Sequence, residues 1–272
     1  MFRRTLCAIF ASASLLSLPA SASAKPLQPV SPWDLDYGQT QCIASRNYGD
    51  AAKPTTLAIR QSPNGETYEI VVLRPGPSPE FAEELKGAVD FGHGPLEAWL
   101  LHFGPQKTKA DLYQFRISAA DMAQARSADK ITLRIPGTPE MSFALASMPQ
   151  LLDGLEACTA DLKRYWNMGG EKSGLIAKPA RGDLRDLFNS SDYPDAAIAQ
   201  DQEGDAQYLL LVDEKGKVAG CQVLLASGVP MLDAMGCAVI QERGGFTPAL
   251  DKSGKPVRST VVTPKVRWRL SG

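Results

Sequence analysis

The cysteines of this chain restrict its fold more than any other feature, because each disulfide would hold two separate segments side by side. Four of them lie beyond the N-terminal segment: Cys42, Cys158, Cys221 and Cys237. None is part of a Cys-x-x-C pair, the spacing typical of redox and zinc sites. In an oxidising compartment such cysteines favour structural disulfides, and three pairings are possible. Four buried free thiols are the alternative.

The N-terminal residues indicate export. Arg3 and Arg4 precede an uncharged stretch, residues 5–24, which ends in Ala22-Ser23-Ala24. Basic residues, an apolar segment and a small-residue site are typical of a secretory signal peptide, so we predict cleavage after Ala24. An uncleaved anchor is the alternative, because a bilayer needs about 20 apolar residues. A proline and alternating serines and alanines favour cleavage.

The charge of the exported chain limits its partners. Removing residues 1–24 takes away two of the 29 basic groups and none of the 30 acidic ones, which leaves a formal net charge of about −3. This balance argues against nucleic acid or an anionic membrane as the main partner. We expect membrane contact only if the N-terminal segment stays uncleaved.

Residues 25–168 are predicted to form an α+β domain of antiparallel strands with a closing helix. Two β-branched runs, Thr55–Gln61 and residues 67–73, flank Ser62-Pro63-Asn64-Gly65. Asn-Gly accepts positive φ, so this pattern predicts a hairpin. Further strands are predicted at residues 88–91, 97–103, 112–117, 130–135 and 141–145, and a short helix at residues 118–126.

Residues 148–166 are predicted to form the closing helix. Their apolar positions recur in steps of three and four, which is typical of an amphipathic helix. Cys158 falls on the buried face of this helix, from which it can reach an N-terminal strand that carries Cys42. We therefore predict the Cys42–Cys158 disulfide, and by elimination Cys221–Cys237, because each bond then stays within one domain.

A second, smaller domain is predicted at residues 191–272, after a glycine-containing linker at residues 169–190. Its elements are strand, tight turn, strand, helix, loop and strand. The strands are predicted at residues 207–212, 217–226 and 263–270, and the helix at residues 231–243.

This order of elements resembles the C-terminal domain family of TonB over about residues 193–270. Cys221 and Cys237 occupy apolar positions of the strand and the helix in that pattern, which places them across the core from each other. The motifs that carry the resemblance are Tyr193-Pro194, Ala196, Asp213, Gly216, Ala226-Ser227-Gly228, Leu232-Asp233, Phe246, Pro248-Ala249, Gly254 and Pro256-Val257.

The resemblance implies a periplasmic protein-binding protein that is linked to transmembrane transport. In this family an extended segment of an envelope protein, such as an outer-membrane TonB-dependent transporter, adds to the last strand as a further strand. Alternation predicts that the apolar residues of this strand face the domain's helix and the basic ones face outward. The predicted partner-binding residues are Thr263, Lys265, Val266, Arg267, Trp268, Arg269 and Leu270.

Three departures from energy-transducing members put transmission of proton-motive force in doubt. Their membrane anchor is uncleaved and carries a functional Ser-His pair, whereas residues 1–24 contain no histidine. Their long proline-rich spacer is replaced here by a predicted folded domain.

No catalytic, cofactor or metal motif is recognisable in the sequence. The two histidines, His93 and His102, lack a Glu-x-x-His or cysteine neighbour that would indicate a metal site. We therefore predict a non-enzymatic protein without cofactor or metal. Two alternatives stay open: a stand-alone envelope binding or inhibitor protein whose N-terminal domain carries the activity, and an uncharacterised periplasmic enzyme.

Overall fold

The computed structural model describes residues 25–80, 82–104 and 109–270. The predicted signal peptide, residues 1–24, lies outside the described residues. In the first region the strands are β1 (Asp34–Tyr37), β2 (Cys42–Tyr48), β3 (Thr55–Gln61), β4 (Thr67–Pro75), β5 (Glu83–Asp90), β6 (Pro95–Phe103), β7 (Ala110–Ser118), β8 (Lys130–Arg134) and β9 (Met141–Ala144). The helices are α1 (Ala119–Met122), followed by a 3-10 turn at Ala123–Ser127, and α2 (Met148–Tyr165).

The strands of the first region form one antiparallel sheet in the order β1-β2-β3-β4-β7-β6-β5-β8-β9. This sheet curls until its ends meet. Residues 27–30 lie between β9 and the end of β2, where Leu27 pairs with Phe143 and Pro29 pairs with Tyr48. The Tyr48 hydroxyl also donates to Ala144 O at 3.1 Å. The first region is therefore a closed barrel.

Inward-facing apolar side chains fill the barrel. Leu57, Ile70 and Phe115 are fully buried on neighbouring strands. The predicted amphipathic helix is confirmed as α2, and its apolar face, including Leu155, joins the same core. Cys158 of α2 is bonded to Cys42 of β2, as predicted, with 6.0 Å between their Cα atoms.

The hairpin predicted between β3 and β4 is also confirmed. Gly65 adopts φ +77°, and its N–H donates to Ser62 O at 2.7 Å. The Ser62 hydroxyl donates to Asn64 Oδ1 at 2.6 Å. These local bonds hold the two strands in register, since turn geometry sets the pairing of a hairpin.

The second region is a small open sheet covered by one long helix. Its elements are α3 (Gly170–Ser173), a 3-10 turn at Ser190–Asp192, α4 (Asp195–Ala199), β10 (Gly204–Val212), β11 (Val218–Leu225), α5 (Pro230–Arg243), β12 (Ala249–Leu250), β13 (Pro256–Val257), β14 (Ser259–Val262) and β15 (Val266–Trp268). β10 is central, with β11 on one side and both β14 and β15 on the other. The molecule is therefore α+β, as predicted.

Helix α5 packs on one face of this sheet. Tyr208 and Leu210 of β10 and Ile240 of α5 are fully buried in the shared core. Gly236 of α5 lies against the Tyr208 side chain, where a Cβ atom would collide with the ring and its hydroxyl. The predicted Cys221–Cys237 disulfide joins β11 to α5, with 5.6 Å between the Cα atoms.

The segment predicted as a linker is in contact with the second region along much of its length. Lys178 and Arg181 form bridges with Leu250 and Thr247. Leu187 and Phe188 pack against the core under α5. This segment therefore extends the second region and is not a structureless spacer.

The barrel and the second region are also packed against each other. Leu211 of β10 belongs to the core of the barrel. Asn167 Nδ2 donates to Arg258 O at 2.8 Å, and the Arg258 guanidinium lies 4.0 Å from the ring centre of Tyr165. The face of the open sheet opposite α5 is thus covered by the barrel.

Candidate functional site

The last strand, predicted at residues 263–270, is shorter in the structure, where β15 covers Val266–Trp268. An irregularity at residues 263–265 separates it from β14, a strand that was not predicted. Leu209 lies opposite Val262 in β14, whereas Ala206 lies opposite Val266 in β15. Three residues, 263–265, thus lie opposite two residues of β10. One extra residue of this kind is a β-bulge, and Pro264 fits there because it has no N–H to donate.

Hydrogen bonding shows which residues of β15 face outward. Thr263 N donates to Tyr208 O at 2.9 Å, so Tyr208 directs its backbone groups toward the last strand. Antiparallel pairing alternates, and Ala206 and Gly204 therefore also point to this side and bond with Val266 and Trp268. The N–H and C=O of the intervening Arg267 point away from the sheet.

Within the described part of the chain, β14 and β15 pair with β10 alone. Their outer side is therefore an open edge at which another strand can pair. The linker residues pair with residues 247 and 250, not with this edge. We call β14, β15 and the bulge between them the docking edge.

Side chains of β15 alternate between the inside of the domain and solvent, with the apolar ones inward and the basic ones outward. Trp268 is buried and Val266 is partly buried, whereas Arg267 and Arg269 are exposed. Trp268 is held by edge-on contacts with Phe188 and Tyr193, with ring centres 5.5 and 5.4 Å away. These aromatic contacts fix the position of β15 in the domain.

The remaining predicted site residues are in different environments. Thr263 is buried, and its Oγ1 accepts from Tyr208 N at 3.1 Å. Arg269 Nη2 donates to Asp205 Oδ1 at 2.6 Å, so its charge is already paired. Leu270 N donates to Glu203 Oε1 at 2.8 Å. Lys265 is exposed in the bulge.

A groove of about 1090 Å³ runs along the docking edge, with residues 180–193 as its opposite wall. Phe188, Phe246 and Trp268 contribute aromatic surface to it. Among the described residues, the groove's Arg181, Lys265 and Arg267 have no ion-pair partner. The groove thus combines an open backbone edge, apolar surface and unpaired positive charge.

The linker wall of the groove was missed by the sequence analysis. Phe188 and Arg181 belong to a segment whose glycines and mixed charges predicted a linker between domains, apart from one turn of helix at residues 184–188. The apolar pair Leu187-Phe188 in that turn was the local signal that the segment contacts a core.

A buried polar cluster in the barrel was also not predicted. His102 Nε2 lies 2.6 Å from Asp111 Oδ1, and Arg74 Nε donates to Asp111 Oδ2 at 2.9 Å. Burial tends to raise the pKa of Asp111, but hydrogen bonds from His102 and Arg74 outweigh it and lower the pKa. The His102 ring stacks on Tyr113 at 4.2 Å. The paired charges and the stacking give this cluster a structural role.

The part of the chain that the structure describes contains no group of three or more metal-ligating side chains. Its helices include none long and apolar enough to cross a membrane.

Comparison with known proteins identifies the second region. Residues 189–270 match the family described as Gram-negative bacterial TonB protein C-terminal. The match begins at the 3-10 turn and ends just beyond β15, so it includes Tyr193, α5 and the whole docking edge. This family is a non-enzymatic protein-interaction domain of the cell envelope. Neither the curated proteins nor the solved structures gave a match.

Proposed function

We propose that the TonB-like C-terminal domain binds an extended segment of an envelope protein, which adds to the docking edge as a further strand. An outer-membrane TonB-dependent transporter is the partner class that the family match favours. Main-chain pairing supplies affinity in such complexes, and pockets for alternate side chains supply specificity. The proposal rests on one observation: the backbone N–H and C=O of Arg267 point away from the sheet, beside an open groove.

The groove favours an acidic partner segment with apolar residues at alternate positions. The unpaired charges of Arg181, Lys265 and Arg267 attract acidic side chains and raise the association rate. Apolar side chains of the partner segment pack against the aromatic surface of Phe188 and Trp268. Electrostatic attraction of this kind weakens as salt increases.

The test is retention of outer-membrane transporters from an envelope extract by the exported chain and its variants. Arg267→Pro removes an outward donor, and an edge strand tolerates proline where its N–H faces solvent. We expect this variant to lose its partners. Arg267→Glu should weaken binding roughly two- to fivefold in a salt-dependent way, as expected for an exposed ion pair.

Lys252 provides a matched control. It is exposed in the turn between β12 and β13, outside the groove, at the second position of a turn, where proline is favoured. Lys252→Pro and Lys252→Glu repeat the two changes and should leave binding intact. Equal retention by the Arg267→Pro and Lys252→Pro variants, both folded, would refute strand addition at this edge.

We also propose that the protein acts in the periplasm after cleavage behind Ala24. Mass analysis of the mature N-terminus tests this directly. An intact N-terminus in the membrane fraction would instead support an anchored protein.

A further inference from the structure

A second cavity, of about 330 Å³, lies between the barrel and the C-terminal domain. Its barrel wall is formed by the outer face of β3, β4, β6 and β7, and its other wall by β10, β11 and the start of α5. This volume is within the range of about 300 to 1,000 Å³ that is usual for ligand sites. We call it the interdomain cleft.

Two residues that line the interdomain cleft each have a buried polar atom without a hydrogen-bond partner among the described residues. They are Trp99 Nε1 from the barrel and Gln222 Oε1 from the C-terminal domain. Buried polar atoms in proteins are nearly always hydrogen-bonded, so these two, one from each wall, are available to a molecule in the cleft.

The charged groups of the cleft are already paired. Glu69 is 4% exposed and lies between Arg60 and Arg116, with Arg116 Nη2 at 3.1 Å from its Oε1. The Arg116 guanidinium also lies 4.7 Å from the ring centre of Trp99. On the opposite wall, Asp233 Oδ1 accepts from Ser227 N at 2.9 Å. Two arginines and two carboxylates balance, so the cleft offers no net charge for an ionic ligand.

The uncharged lining suits hydroxyl groups. Five glutamines line the cleft, and an amide both donates and accepts hydrogen bonds, as a hydroxyl does. They are Gln41, Gln61, Gln114, Gln222 and Gln241. The indole N–H of Trp99 adds a donor, and Leu101, Leu209 and Leu211 add apolar surface for carbon atoms.

We propose that the interdomain cleft binds a neutral polyhydroxylated small molecule of the size of a single sugar ring. One hydroxyl donates to Gln222 Oε1 and another accepts from Trp99 Nε1. Because Trp99 and Gln222 come from different regions, the ligand contacts both walls at once.

Isothermal titration calorimetry of the exported chain tests this, with D-glucose and N-acetyl-D-glucosamine as probes and L-glutamate and L-arginine as charged comparators. We expect one-to-one binding of at least one sugar and of neither amino acid. Gln222→Leu and Trp99→Phe should each weaken binding about tenfold or more, because each removes one hydrogen bond. Gln150→Leu makes the same change on the exposed surface of α2 and should have no effect.

Melting temperature without ligand separates loss of binding from loss of fold. Gln222→Leu replaces a buried, unpaired acceptor, so this variant should melt at or above the temperature of the unchanged protein. Trp99→Phe removes only the indole donor and part of the ring, and it carries the test if Gln222→Leu unfolds. Binding of neither sugar, binding of only a charged amino acid, or sugar binding that all cleft variants retain would each overturn the proposal.

Discussion

The barrel and the C-terminal domain are both built on antiparallel sheets, but they differ in what happens at the sheet's ends. In the barrel, residues 27–30 join β9 to β2 through backbone pairing at both strands, which closes the sheet at this point. In the C-terminal domain, β14 and β15 pair with β10 alone among the described residues. Closure removes the backbone edge along residues 27–30, although the neighbouring β1 pairs with β2 alone among the described residues. We propose strand addition only for the open sheet, where the groove lies beside the free edge.

The two regions also differ in the chain length that their disulfides close. The barrel bond, Cys42–Cys158, spans 116 residues and holds α2 to β2. The C-terminal bond, Cys221–Cys237, spans 16 residues and holds α5 to β11. The longer loop restricts the unfolded chain more strongly.

The largest predicted effect follows from this difference. Replacing both cysteines of the barrel bond by alanine should lower the free energy of unfolding by about 4.7 kcal/mol, and replacing both C-terminal cysteines by about 3 kcal/mol. Urea unfolding followed by tryptophan fluorescence measures both. Equal losses, or a larger loss for the short loop, would mean that loop length does not set the contribution of these two disulfides.

The next effect concerns the buried carboxylate of the barrel. Asp111→Asn should lower the free energy of unfolding by about 3 kcal/mol, because it leaves His102 and Arg74 without their charged partner. The folded-state pKa of Asp111 lies below its unfolded value of about 3.9. Its stabilisation is therefore present above about pH 4 and lost as the pH falls through the folded-state pKa.

The measurement is the free energy of unfolding between neutral pH and about pH 2. The Asn variant should lose less stability on acidification than the unchanged protein. Asp192 in the C-terminal domain is the comparison, since a hydrogen bond from Arg243 lowers its pKa too. A larger loss from Asp192→Asn than from Asp111→Asn would contradict the expectation that Asp111, held by both His102 and Arg74, contributes more.

The smallest predicted change in stability distinguishes the contributions of the two histidines. His102→Ala should destabilise the barrel by roughly 1.5 kcal/mol, because it removes a hydrogen bond to a charged group. His93→Ala, in an exposed turn, should change stability by less than about 0.5 kcal/mol. Neither change should alter partner binding at the docking edge. Reduced retention of partners by a folded His102→Ala variant would show that the barrel contributes to that function.

Local chemistry explains what could be predicted from the sequence. The hairpin at Gly65 depends on a few adjacent residues, and α2 follows from the spacing of its own apolar positions. The hairpin and the helix thus depend on contacts close in sequence or on a repeating pattern. The disulfide pairing was predictable because it kept each bond within one predicted domain.

Other features could not be read from the sequence because they depend on contacts between distant residues. Residues 27–30 contain Pro29 and no alternating pattern, so only the approach of β9 to β2 makes them a strand-like closure. His102 and Asp111 come together because β6 and β7 are neighbours in the barrel. The bulge at Pro264 follows from the register of β10 with two separate strands.

The sequence by itself determined the hairpin and the long helix of the C-terminal domain, the family that this domain matches and the alternation of Val266, Arg267 and Trp268, because side-chain period and turn chemistry are local. The tertiary structure decided which backbone groups of the docking edge are free and which charges beside it are unpaired. Those properties depend on what packs against the strand: β10 on one side, and across the groove a linker whose sequence predicted no role.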